Sequence, residues 1–276
     1  MSLNKPIWKL RDWIDINKLD WNRLSLNKNA IELLKENQDK INWAYLSYNK
    51  NAIELLEKNT DNIDWVYLSE NTNAIDLLKK SPNKINWYFL SRNKNAIELL
   101  KANQDKIGWT YLSENPNAIE LLKENPDKIQ WELISGNINA IEIIKENLYD
   151  GQYKIDWRRL SYNKNAIRLL QQNPEKINWY ELSKNKNAIH LLEKNPDKIY
   201  WDSLSLNKNA IHLLEKNQDK IDWYYLSANP SIFELDYEKM RENNQSMYED
   251  LIKEVMKPSR VFKNPDYDYL EELFGD

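Results

Sequence analysis

Trp21, Trp43, Trp65, Trp87, Trp109 and Trp131 fall 22 residues apart, and Trp157, Trp179, Trp201 and Trp223 resume that spacing after a single interval of 26. The unit can be written I-[N/D]-W-x-x-L-S-x-N-x-N-A-I-x-L-L-x-x-N-x-D-K, and ten Trp-led copies run from Trp21 to about Leu235, the last one degenerate. A unit this short cannot bury its apolar face alone, so it must stack on its neighbours. The spacing therefore predicts an all-α fold: an α-solenoid of tandem 22-residue helix-pair repeats over residues 21–235, with a four-residue insertion near 148–153. Residues 1–20 read as an N-terminal cap, with "INKLDW" as half a repeat, and residues 236–276 as a C-terminal helical cap or tail.

Each unit reads as two short helices. Asn, Asp or Gly precedes most of the tryptophans (Asp20, Asn42, Asp64, Asn86, Gly108, Asp156, Asn178, Asp222), as suits a helix N-cap. The first helix, Trp43 to about Tyr48, is barely more than one turn. Asn49 and its counterparts are expected to cap a second helix of about Lys50 to Lys58, with Pro116 and Pro230 fitting its first position. That helix should end at Asn59, a residue type that tolerates left-handed backbone, with Pro82, Pro126, Pro174 and Pro196 as breakers one position on in other units. Helices of six to nine residues are unstable alone. Ala52, Ile53, Leu55 and Leu56 give the second helix a stripe wide enough to touch both neighbouring repeats and its own first helix, and Ile41, Trp43 and Leu46 complete the core. The tryptophans are assigned to core filling rather than to a ligand-stacking platform. Asn29, Asn51, Asn73 and onward to Asn209 occupy a position where Asn is a poor helix former, which suits an inter-repeat hydrogen-bond ladder or a turn-stabilising role.

Beyond the repeats, Ser246 and Glu249 form a candidate capping box for an amphipathic helix with Tyr248, Leu251, Ile252, Val255 and Met256, ending by Pro258. "NPDYDYLEELFGD" carries the start and stop signals of one more helix, able to cap the array or to dock through Tyr267, Leu270 and Phe274.

The units "NPNAIELLKENPDKIQW" and "KIDWYYLSANPSIFELDY", with the following "KPSRV", resemble an uncharacterised family of short-helix repeat proteins of giant DNA viruses. The resemblance covers nearly the whole chain. It implies a fold and a viral origin, with no catalytic or binding site to carry over. Lys or Gln at many of the family's usual Pro positions, and the long interval at 147–156, depart from its commoner form.

Composition narrows the functional classes. The start MSLNKPIWKL has no apolar stretch after its charge, so no secretory signal is expected, and mean hydropathy of -0.82 argues against membrane spans. With no cysteine there is no disulfide framework, which suits a reducing compartment. The expected location is intracellular, in the infected host cytoplasm or the virion. No residue departs from the repeat to supply a titratable pair, a nucleophile with its base or a Gly-rich phosphate loop, so neither an enzyme nor a cofactor is expected. His190 and His212 share one repeat position, which helix packing would place within about 10 Å of each other, and make a poor metal site without a nearby Cys.

Two binding classes remain. For nucleic acid, Lys28, Lys50, Lys94, Lys164, Lys186 and Lys208 form a row, and Tyr is abundant. Against it, an acidic row four residues on (Glu32, Glu54, Asp76, Glu98, Glu120, Glu142) is placed to pair with those lysines, and the net charge is -4. Residues 236–276 hold 11 acids and 6 bases, which leaves residues 1–235 at only +1. For protein, the positions that escape the repeat are the two after each Trp and the one after Ser, all on the first helix. Tyr45, Tyr67, Tyr88, Phe89 and Tyr111 are therefore the candidate partner-binding residues, unless they are half-buried filler. Arg158, Arg159, Glu181, Asp202 and Ser203 should make a more polar contact or none. The expectation is a non-catalytic scaffold or adaptor, with a nucleic-acid-associated repeat protein as the alternative. The insertion, with Tyr149 and Tyr153 flanking an Asp-Gly turn, marks one face.

Overall fold

The computed structural model describes residues 6–148 and 155–255. The insertion tyrosines Tyr149 and Tyr153 and the segment 264–276 lie outside them. The chain divides into two compact units, Leu10–Phe233 and a smaller one of Met1–Lys9 with Glu234–Asp276.

The larger unit is an α-solenoid. In its second repeat a helix Trp43–Tyr48 follows Asn42, whose side chain accepts from the Tyr45 N–H. A four-residue turn leads to a second helix, Ile53–Glu57, and then to a 3-10 turn, Thr60–Asn62. The expected caps before Trp hold for Asp20, Asn42, Asp64, Asn86, Asp156, Asn178 and Asp222. Gly108 supplies no side-chain cap. A Cβ there would stand 2.8 Å from Tyr88 Cδ2 and 3.1 Å from Tyr88 Cα, so the glycine makes room for Tyr88.

The second helix is shorter than expected and begins later. Asn49 closes the first helix instead of opening the second; its Oδ1 accepts from the Asn51 N–H inside the turn, and Ala52 stands at the helix start without a side-chain cap. Pro116 lies in the equivalent turn, whereas Pro230, Pro82, Pro126, Pro174 and Pro196 each open a 3-10 turn, where a missing N–H costs nothing. Asn59 is not left-handed: its φ is -134°, and no described residue has positive φ. It ends the helix with its side chain, Nδ2 donating to the Leu55 carbonyl at 2.9 Å.

Ala52, Leu46 and Leu56 are fully buried, as are their counterparts in the other eight of repeats 1–9. The tryptophans are only half-buried, which corrects the core-filling assignment in part. In several of them a charge covers one ring face: Lys40 stands over Trp21, Lys106 over Trp87, Lys198 over Trp179 and Lys220 over Trp201, at 4.4–4.8 Å from the ring centre.

The two asparagines of the turn do both jobs that their positions suggest. Asn49 Nδ2 donates to the carbonyls of Ser25 and Asn27 in the preceding repeat, and Asn51 Nδ2 donates to that of Lys28. The serine adds a third strand to this ladder, Ser25 Oγ accepting from the Asn42 N–H and donating to Trp21 O. The ladder is continuous and has no end. Asp20 N–H donates to Ser227 Oγ at 2.8 Å, Asn27 Nδ2 to the carbonyls of Ser227 and Asn229, and Asn29 Nδ2 to that of Pro230. Lys18, on a 3-10 turn Ile16–Lys18, stands over Trp223 as Lys40 stands over Trp21. Repeat 10 thus packs on repeat 1, and this unit is a closed ring. Where two free ends with separate caps were expected, residues 11–20 complete the tenth repeat.

Two short strands, β1 (Trp8–Leu10) and β2 (Phe233–Leu235), pair antiparallel, with Arg11 N–H donating to Ile232 O and Asp236 N–H to Ile7 O. In the smaller unit a helix Tyr237–Val255 is capped by Asp236, which accepts from the Lys239 N–H. It runs through residues 246–249 without a break, so no helix starts at the expected Ser246/Glu249 capping box. Among the described residues no helix is long and apolar enough to cross a membrane.

Candidate functional site

Along repeats 1–4, along repeats 7–10 and across the closure it is the Trp-led helices of neighbouring repeats that pack on one another. Arg159, on the Trp-led helix of repeat 7, reaches past repeat 6 to pair with Glu114 of repeat 5. In a closed ring only groups facing the centre can do this, so the Trp-led helices form the inner layer. The residue after Ser points furthest in. Tyr162, five repeats away, adds a small share to the rise of the Tyr48 pKa. Burial first, then the Glu70 carboxylate, push the Tyr48 hydroxyl up to about 12, although 44% of the residue remains accessible.

The five predicted partner-binding residues form two aromatic groups. Tyr45 and Tyr67 meet edge to face with centres 6.3 Å apart. Tyr88, Phe89 and Tyr111 pack mutually, Tyr88 to Tyr111 at 4.2 Å and Phe89 to Tyr111 at 5.3 Å, with the Arg92 guanidinium over Tyr111. Tyr45, Phe89 and Tyr111 are half-buried, so filler describes part of their role; Tyr67 and Tyr88 are 36% and 46% exposed. The row lies at the N-terminal ends of the inner helices.

The inner surface also carries charge, beginning in the same repeats as the aromatic row and more interconnected than its sequence positions suggest. Arg92 pairs with Glu70 and Glu114, Glu114 with Arg159, and Arg159 with Asp156. Burial alone disfavours the Arg92 charge, yet Glu114 and Glu70 outweigh it and hold the guanidinium above its ordinary value. Burial raises the Glu70 carboxyl against the opposing pull of Arg92. Buried Glu181 accepts from Arg158 at 2.9 Å and from Lys184 at 3.1 Å. Asp202 is half-buried and Ser203 fully buried, which removes the latter from any contact surface.

Between these ion pairs lies a cavity of about 470 Å³ lined by Arg92, Glu114, Gly136, Arg159, Tyr162 and Glu181, among others. Gly136 opens it. A Cβ there would meet nothing closer than 3.5 Å, so sterics do not require the glycine, while every other repeat carries a side chain at this inward position. The signal was visible in the sequence as the single missing side chain in that column.

The lysine row does not pair with the acidic row as expected. Glu32, Glu98, Glu120 and Glu142 instead pair three residues on, with Lys35, Lys101, Lys123 and Lys145, and Glu54 pairs with Lys58. His190 and His212 are exposed, His212 lying 3.2 Å from Glu193, and among the described residues no group of His, Cys, Asp or Glu is placed to hold a metal ion. Comparison with protein-family models finds no match, and neither curated proteins nor solved structures give one.

Proposed function

We propose that the protein is a non-catalytic ring scaffold that binds another protein on its inner helices, with the N-terminal ends of those helices as the docking rim. The observation that carries this reading is the separation of positions. Residues repeated in every unit are spent on the ladder and the core, while the variable ones gather on the inner layer, where Tyr67 and Tyr88 leave large amphipathic rings half open. The cavity beside Gly136, bordered by fixed guanidinium and carboxylate groups, suits a polar side chain of the partner. The resemblance of the repeats to those of giant DNA viruses makes an infected cell or a virion the place to look for it.

Affinity purification from infected cells, with nuclease treatment, tests the proposal. The doubly substituted Tyr67→Ser/Tyr88→Ser protein is expected to lose its defined protein partners at an almost unchanged melting temperature. Retention of all partners would refute the rim assignment, and partners lost to nuclease alone would refute protein recognition.

A further inference from the structure

The residue between the two ladder asparagines is Lys28, Lys50, Lys94, Lys164, Lys186 or Lys208 in six repeats, and Thr72, Pro116, Ile138 or Pro230 in the rest. Along the chain these lysines form separate runs. Ring closure joins them. Ser231 Oγ donates to Lys208 O at 2.7 Å and Asn29 Nδ2 to Pro230 O at 3.0 Å, so Lys208, Pro230 and Lys28 follow one another around the ring as any three neighbours do. Lys164, Lys186, Lys208, Lys28 and Lys50 therefore fill five of six consecutive places on a single arc. Their main chains are fixed, the carbonyls of Lys28, Lys50, Lys164 and Lys186 accepting from Asn51, Asn73, Asn187 and Asn209 at 2.8–3.0 Å.

None of these five ammonium groups has a carboxylate within ion-pair distance among the described residues: Glu32 and Glu54, four residues after Lys28 and Lys50, pair with Lys35 and Lys58, and the same place after Lys164, Lys186 and Lys208 is held by Arg168, His190 and His212. They face one another instead. Burial, then Lys50 and Lys208, lower the Lys28 pKa; Lys208, then burial and Lys164, lower that of Lys186. The fold thus holds a row of like charges without a countercharge, and an anion seated over it relieves that repulsion.

We propose that this arc is a binding site for a small polyphosphate, a compact molecule carrying several phosphate groups. Each Lys offers a point charge with three rotatable donors, able to reach phosphate oxygens without a fixed fork geometry, and a row of five such charges calls for a ligand that carries several negative charges in a small volume. Small size follows from the surroundings. Residues 1–235 carry only +1, too little for the extended field that gathers a long polyanion, and a curved arc meets a straight duplex at few points. The aromatic row lies at the opposite ends of the inner helices; beside the arc the exposed rings among the described residues are Tyr48 and Tyr162, before Lys50 and Lys164, too few and too far apart to stack successive bases of a single strand.

Titration calorimetry at low and physiological salt, with inositol hexakisphosphate, tripolyphosphate and a single-stranded oligonucleotide as probes, tests this. The arc variant Lys164→Gln/Lys186→Gln/Lys208→Gln is compared with a charge-matched control, Lys101→Gln/Lys123→Gln/Lys145→Gln. The small polyphosphates are expected to bind the wild type and the control alike, and the arc variant at least about tenfold more weakly with a shallower salt dependence. Melting curves should show the arc variant no less stable than the wild type, since its changes remove repulsion; should it fail to fold, Lys208→Gln alone carries the comparison. Equal weakening in both variants, absence of binding by both small probes, or tighter binding of the oligonucleotide would each overturn the proposal. None of these outcomes depends on the aromatic rim, so a failure here leaves the protein-scaffold reading standing.

Discussion

The junction between repeats 2 and 3 and the junction between repeats 10 and 1 are built from the same hydrogen bonds. At the first, Asp64 N–H meets Ser47 Oγ at 3.0 Å, Asn71 Nδ2 meets the carbonyls of Ser47 and Asn49, and Asn73 Nδ2 meets that of Lys50. At the second the partners are Asp20 with Ser227 at 2.8 Å, Asn27 with Ser227 and Asn229, and Asn29 with Pro230. The connecting chain differs. Repeat 2 continues through the helix Ile53–Glu57, whereas repeat 10 has no second helix, passing through Pro230–Ile232 into β2, and its closing 3-10 turn arrives from the other end of the chain. Junction geometry is therefore set by the first helix and the Asn-x-Asn turn, and covalent continuity is dispensable to it. An open array has terminal units with one neighbour each, which fray first; here every repeat has two.

The largest test of that equivalence is a core deletion on each side. Leu24 in repeat 1 and Leu68 in repeat 3 are both fully buried. Leu24→Ala and Leu68→Ala are each expected to cost about 2–5 kcal/mol in denaturant unfolding, and to agree with one another. A much smaller cost at Leu24 would mean that repeat 1 behaves as the end of an open array.

A finer test removes the ladder itself. Asn27 and Asn71 each donate two buried hydrogen bonds to the preceding repeat and accept one within the turn, for Asn71 from the Asn73 N–H and for Asn27 from the Asn29 N–H. Truncation leaves buried carbonyls unpaired, so Asn27→Ala and Asn71→Ala should each cost about 2–4 kcal/mol. Hydrogen exchange separates the two cases further. Asn27→Ala should speed exchange of the Asp20 amide, which donates to Ser227 across the closure, and leave the Asp64 amide protected; Asn71→Ala should do the reverse. If Asn27→Ala changes neither stability nor exchange, the closure is not part of the folded unit.

Most of the repeat was legible in sequence because it rests on local rules. The Trp period, the Asp or Asn before Trp, and the apolar stripe of Ala52, Leu55 and Leu56 each follow from helix geometry and capping, and the ladder was implied by asparagines standing where Asn is a poor helix former. Closure was not read, although its trace is present: residues 16–20 supply a 3-10 turn and a cap with no helix before them, and repeat 10 supplies a first helix with no second one after it. The two incomplete halves make one junction. What the repeat does not encode visibly is the small rotation between units, which decides whether ten of them spiral or meet. The same gap hid the charged cluster, since Arg159 and Glu114 meet only because curvature brings repeats 5 and 7 together. The expected end of the second helix at a left-handed Asn59 failed because Asn has a second way to stop a helix, donating its amide to the last exposed carbonyls.

The smallest comparison is also the most local. Lys40 stands 4.4 Å above Trp21 at an internal junction, and Lys18 stands 5.0 Å above Trp223 at the closure. Both ammonium groups ride on a 3-10 turn and both rings are half-buried, so each contact should stabilise by about 0.5–1 kcal/mol. Lys40→Gln and Lys18→Gln should therefore lower stability by similar amounts, and the matching Trp21→Phe and Trp223→Phe backgrounds should shrink both effects, since Phe presents a weaker ring face to a cation. The closure carries one difference that makes the outcome informative: Arg23 also stacks over Tyr224 and Tyr225 there, at 4.4 and 5.4 Å. If Lys18→Gln costs clearly less than Lys40→Gln, Arg23 supplies redundant cation–aromatic contact at the closure, and adding Arg23→Gln should expose it as a loss larger than the two single changes together. If the double change is merely additive, the two contacts are independent and the closure is held, like the internal junctions, by its ladder.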